Sequence, residues 1–133
     1  MCKFCNDDVA KLFLRLSVGV LMLLHGVFGK IIPGIDWMVA QLGFFAYGVY
    51  IGEVVAPILL ILGIFPRISA LLIAFTMIVA AFVATGGQIF ALNDFGGWVI
   101  ELHWLYFAAS LMIAMIGGGR YSLCKKCQNS CKN

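Results

Sequence analysis

Residues 46–86 read AYGVYIGEVVAPILLILGIFPRISALLIAFTMIVAAFVATG, and the only charged side chains among them are Glu53 and Arg67. Gly63-Ile64-Phe65-Pro66-Arg67 divides the stretch into two apolar runs, near 46–65 and 67–86. Each run has about 20 residues, enough to cross a hydrocarbon core of about 30 Å as a helix. Lipid offers the backbone no hydrogen-bond partners, so such a run must satisfy itself, and a helix does so. The connection is so short that the two runs form an antiparallel hairpin. Two further apolar runs, near 10–30 and 97–116, flank this pair. The sequence therefore predicts an all-α fold, a transmembrane four-helix bundle.

Composition agrees. The chain has 133 residues, 63% hydrophobic and 11% charged, with a mean hydropathy of +1.05. These values exclude an ordinary soluble domain. Four spans leave room for one membrane domain, residues 1–133, with tails at 1–7 and 120–133. The first run follows Asp7, Asp8 and Lys11 and is too long for a signal peptide's apolar core, so no cleaved leader is expected.

The net charge of +3 does not indicate nucleic-acid binding, because the basic residues sit at membrane edges. Lys3, Lys11 and Arg15 lie at the start of the first span. Arg67 lies in the hairpin turn, and Arg120, Lys125, Lys126 and Lys132 follow the last span. The first connection offers only Lys30, and the third has no Lys or Arg. This asymmetry predicts both termini in the cytoplasm.

Along the chain, Asn6–Asp8 supply an N-cap and negative charge for the first helix. Pro33-Gly34 stops it. In the connection 31–45, Ile35, Trp37, Met38 and Leu42 predict a short interfacial helix or re-entrant segment. Gly48-x-x-x-Gly52 is a close-packing signal in the second helix, and Pro57 is expected to kink it. Ala70, Ala74, Ala80, Ala81 and Ala84 suit tight contacts of the third.

The predicted topology gathers polar residues from all four helices at one depth, toward the outer face. They are His25, Lys30, Glu53, Gln88, Glu101 and His103, whereas Arg15 and Arg67 fall near the inner face. A carboxylate at depth costs a few kcal/mol even on lenient scales. It is tolerated if protonated, paired with a cation, or facing a wet cavity. Glu53 and Glu101 are therefore expected to face the bundle interior. Three readings stay open: structural glue, with a Glu paired to Lys30 or a histidine; a small-molecule, quinone or proton site; and a metal site of His25, His103, Glu53 and Glu101. Glu101 and His103 lie about 200° apart around a helix, which counts against the metal site.

All five cysteines are in the tails: Cys2 and Cys5 in one C-x-x-C, Cys124 and Cys127 in another, then Cys131. In a reducing compartment such pairs favour metal or redox chemistry over structural disulfides. Thiolates at this spacing suit zinc, copper(I) or iron, provided the two tails meet.

Arg15-Leu16-Ser17-Val18-Gly19, His25-Gly26 and Lys30 resemble the opening of the DoxX family. Gly52-Glu53, Gly63-x-x-x-Arg67, Glu101 and Gly117–Gly119 with Tyr121-Ser122-Leu123 continue the resemblance, which spans about residues 11–123. It implies a small four-helix protein of bacterial or archaeal plasma membranes. Some family members are subunits of a thiosulfate:quinone oxidoreductase, and others associate with redox and thiol-stress proteins. The family often has Asp after the terminal Ser-Leu, where this chain has Cys124; that change and the cysteine-rich tails point to a metal- or thiol-linked specialisation.

The expected function is a membrane-embedded oxidoreductase component linking a thiol or sulfur donor to quinone. Arg15, His25, Glu53 and Glu101 would form the reacting pocket, and Lys30, Gln88 and His103 would bind the cofactor. A partner redox protein is expected because no flavin, nicotinamide or haem signature is present; a homo-oligomer is open. The alternatives are a soft-metal protein using Cys2, Cys5, Cys124, Cys127 and Cys131, or a membrane anchor for a partner enzyme.

Overall fold

A computed structural model of the chain describes residues 7–32, 34, 36–119 and 121–123, with side chains except at 30, 31, 37 and 38. The described residues form five α-helices: α1 Asp7–Gly26, α2 Asp36–Leu42, α3 Phe45–Leu62, α4 Pro66–Thr85 and α5 Glu101–Ile116. A π-helical turn, Val27–Ile31, extends α1. The region from Asp7 to Gly29 and the helices α3 and α4 are each long and apolar enough to cross a membrane. At 16 residues, α5 reaches about 24 Å. Trp98–Ile100, which the apolar pattern joins to the last helix, belong instead to the preceding loop.

The four long helices pack in a closed ring, α1 on α3, α3 on α4, α4 on α5 and α5 back on α1. Their shared core holds Val18 and Met22 of α1, Ala56 and Leu60 of α3, Ile73 and Met77 of α4, and Ile113 of α5. Outward faces carry exposed apolar side chains such as Phe13, Ile51, Phe75 and Leu105, a surface that only lipid or another apolar partner can cover. The short helix α2 is the expected interfacial element; its Val39 and Leu42 pack on Ala46 and Val49 of α3.

Glycines set the tightest approaches. A Cβ on Gly19 would lie 2.6 Å from Ile61, and one on Gly26 would lie 2.6 Å from the carbonyl oxygen of Glu53. These positions are seven apart, so they fall on one face of α1 and draw it onto α3. A Cβ on Gly52 would collide with the Thr76 hydroxyl of α4, whereas Gly48 faces open space. Of the predicted glycine pair, only Gly52 makes a helix contact. α3 continues through Pro57.

The ends are built by turn chemistry. Gly63 closes α3 in the left-handed conformation, φ 73°, with its N–H to the Leu59 and Leu60 carbonyls. Pro66 opens α4 at a position that needs no N–H. Both termini of the described chain lie at this hairpin end. A Cβ on Gly119 would sit 3.2 Å from the Asp8 carboxylate and 3.4 Å from Lys11. The opposite, distal end carries the connections 27–44 and 86–100. There Asn93 Oδ1 accepts from the N–H of Phe95 (3.1 Å) and Gly97 (2.8 Å). Trp98 Nε1 donates to the Ile89 carbonyl. Phe44, Phe90 and Phe95 are strongly exposed at this end, which suits rings at a membrane interface.

Candidate functional site

Two features account for the charges inside the bundle, and they lie at opposite ends. At the hairpin end Arg15 is 2% exposed. Its guanidinium donates to the carbonyls of Gly118 (2.9 Å), Tyr121 (3.1 Å) and Ile61 (3.5 Å). Ser122 Oγ donates to the Gly63 carbonyl at 2.7 Å. A Cβ on Gly63 would stand 3.0 Å from Arg15, and one on Gly118 would stand 2.6 Å from Pro66. One arginine thus ties α1, the α3–α4 turn and the segment after α5 together. Guanidinium suits this because its fork spreads several donors over separate acceptors.

At the distal end lies a cavity of about 510 Å³. Its polar lining comes from His25 of α1, Gln41 of α2, Glu53 of α3 and His103 of α5. Ala80, Val83 and Ala84 of α4 supply a small apolar wall. Glu53 is fully buried, while His25 and Gln41 are exposed and mark the mouth. Such a space is roomy and polar enough to hold several waters. The backbone of Glu53 is also the contact of Gly26, the residue after which α1 passes into its π segment.

His103 has a second environment. It lines an apolar groove of about 170 Å³ between α4 and α5, with Ile78, Ala81, Phe82, Trp104 and Phe107. Ile78, Phe82 and Trp104 are exposed on the lipid-facing surface, so the groove opens sideways. Trp104 tilts between Trp98 and Phe107, at ring separations of 6.3 Å and 5.4 Å. Ile89, held by the Trp98 indole, closes the distal end of the groove with Ile100. A small void lined by His25, His103 and Tyr106 lies beside the larger cavity.

His25, Glu53 and His103 are brought together. Arg15 is not; ten residues before His25 on α1, it is about 15 Å away along the axis and is engaged at the hairpin end. Glu101 is not buried in the bundle as expected. It is exposed on the first turn of α5, its carboxylate 3.0 Å from where a Gly97 Cβ would stand. The physical reason is the two-residue spacing: with His103 turned inward, Glu101 must turn away. Its charge there suits the helix N-terminus. Gln88 is exposed in the loop after α4 and does not line the cavity. Lys30 belongs to the π turn, and its side chain lies outside the description.

Among the described residues no three His, Cys, Asp or Glu side chains form a group able to hold a metal. The intramembrane metal site of His25, His103, Glu53 and Glu101 is therefore not formed. Cys2, Cys5, Cys124, Cys127 and Cys131 lie outside the described residues. Sequence reasoning missed Gln41, Tyr106 and Trp104. Tyr106 was accessible to it, being one turn from His103 on the same face; Gln41 was not, because only the fold sets α2 over the cavity.

A model of the DoxX family matches residues 10–86, more than half of the chain. The chain belongs to the DoxX family. The match covers α1 to α4 with His25 and Glu53, while His103 and the groove's aromatic wall on α5 lie beyond it. Neither the curated proteins nor the solved structures gave a match. Family and apolar helices together make this a membrane protein, of a DoxX group often linked to oxidoreductase or quinone systems.

Proposed function

We propose that this DoxX protein is a membrane-embedded component of an oxidoreductase system that passes electrons from a thiol or sulfur donor to quinone. One observation carries the reading: His103 is a wall of both a lipid-facing apolar groove and a polar cavity containing Glu53. A quinone ring arrives from the bilayer but needs two protons when it takes two electrons. For a dithiol donor the balance is two thiols and one quinone giving one disulfide and one quinol. His103 is placed to hydrogen-bond a quinone oxygen and deliver a proton. Glu53 and His25 behind it connect that histidine to water. Arg15 and Glu101 are outside this relay; Arg15 maintains the bundle. Electrons come from a partner redox protein, since the chain has no resident carrier signature.

Trp104 lines the groove, so quinone binding should quench its fluorescence. Titration of purified protein with a quinone should give saturable quenching, smaller in amplitude in Trp104→Phe and weakened at least about tenfold in affinity in His103→Ala, a loss expected of one good hydrogen bond. Linear, non-saturable quenching equal in all three would remove the reading.

A second reading, soft-metal binding by Cys2, Cys5, Cys124 and Cys127 with Cys131 as spare ligand, is supported by the meeting of the tail roots. A Cβ on Gly119 would meet Asp8 and Lys11, so the described segments that lead to the two tails lie close together. Elemental analysis should find about one zinc, copper or iron per chain, lost in a Cys2→Ser/Cys5→Ser variant. Metal-free protein prepared anaerobically would refute it.

A further inference from the structure

We infer that the groove between α4 and α5 is the seat of the quinone's hydrocarbon tail, and that the carrier enters sideways from the bilayer instead of through the polar mouth. The inference rests on the quinone reading above and specifies its route. The groove is preformed. Its lining runs from buried Met77 to Ala81 and Phe82 on α4, with Trp104 and Phe107 on α5. His103, the one ionisable side chain among the described residues that line it, sits one turn along α5 from Ile100. The distal end is closed by Ile89 and Ile100, both placed by the pinned loop 86–100. The remaining direction is outward past exposed Phe82 and Trp104.

An amphiphile with a polar ring and a long apolar chain fits that geometry in one orientation. Its ring abuts His103, and its chain runs out between Phe82 and Trp104 into lipid. A wholly apolar acyl chain would bring no hydrogen-bonding group to the histidine. A soluble substrate would have no reason to lie in a groove with an almost purely apolar lining. The polar cavity then serves protons and water, and the groove serves the carrier. His103 separates the two routes, which keeps the reacting ring out of the aqueous mouth.

The test compares one benzoquinone headgroup with and without a decyl tail, read by Trp104 quenching in the same detergent. In the natural protein the tail should tighten binding about tenfold or more, because the groove holds several of its methylenes. Ala81→Phe puts a ring into the groove from its lining and should reduce that advantage to about twofold or less. Leu71→Phe, a lipid-facing change on α4 about 15 Å away, should preserve it. The Leu71→Phe ratio also corrects for partition of the tail into detergent. An equal tail advantage in the natural protein and Ala81→Phe would show that the groove holds an ordinary lipid chain at most, and would overturn the inference while leaving the headgroup site standing. Failure of both quinones to bind the natural protein would remove the quinone reading and the groove assignment with it.

Discussion

His103 lines both the apolar groove and the polar cavity, and the proposed function has it exchange protons between them. His103→Gln keeps hydrogen-bonding capacity but cannot carry a proton. It should leave the unfolding temperature nearly unchanged while abolishing quinone-linked turnover in vesicles. Glu53 gives a sharper contrast. If it were half of a buried ion pair, Glu53→Gln would strand its partner and destabilise the fold by about 3–5 kcal/mol. As a cavity carboxylate it should cost little stability and most of the activity. Thermal unfolding and turnover measured on one preparation decide between these. Arg15 should show the opposite pattern. Arg15→Met deprives the Gly118 and Tyr121 carbonyls of their donor, and about 3 kcal/mol of stability should go with it. Arg15→Lys should recover only part, because an ammonium cannot span three separated carbonyls. Chemical denaturation in detergent measures both.

Among the elements, close helix contacts depend on single missing methyl groups. Gly52→Ala should cost about 1–3 kcal/mol by driving a Cβ into Thr76. Thr76→Ala in the same chain should restore most of it, and Gly48→Ala should be silent. A thermal-unfolding series over these variants checks the α3–α4 seam. This seam also shows what a sequence can reveal. Four apolar runs, the hairpin at Gly63–Arg67 and a short helix in the first connection were legible, since lipid imposes length and hydrogen bonding on the chain directly. The gathering of His25, Glu53 and His103 followed from topology plus one depth. Which glycine touches a neighbour was not legible, because spacing gives an angle but not the facing side chain. The place where α5 begins was hidden too. Trp98-Val99-Ile100 reads as helix by hydrophobicity, yet the Asn93 turn and the Trp98–Ile89 bond hold it in the loop. Arg15 misled for a different reason. A charge within a span signals something polar nearby, and here that is a set of carbonyls, not a pocket.

For the whole molecule, the ring of four helices separates two ends with different duties. The hairpin end is locked by Arg15 and carries the roots of both cysteine tails. The distal end holds the cavity, α2 and the exposed phenylalanines. The Lys/Arg asymmetry predicts the hairpin end inside. A membrane-impermeant thiol reagent applied to intact cells should then miss Cys2 and Cys131, and prompt labelling of either would reverse the orientation. The central claim, that quinone meets the protein at His103 from the lipid side, is tested most directly by photoaffinity labelling in vesicles with an azido-quinone, followed by peptide mapping. The account predicts saturable adducts confined to residues 77–82 and 103–107, competed by unlabelled quinone. Adducts confined to the cavity mouth at His25 and Gln41, or labelling that never saturates, would contradict it.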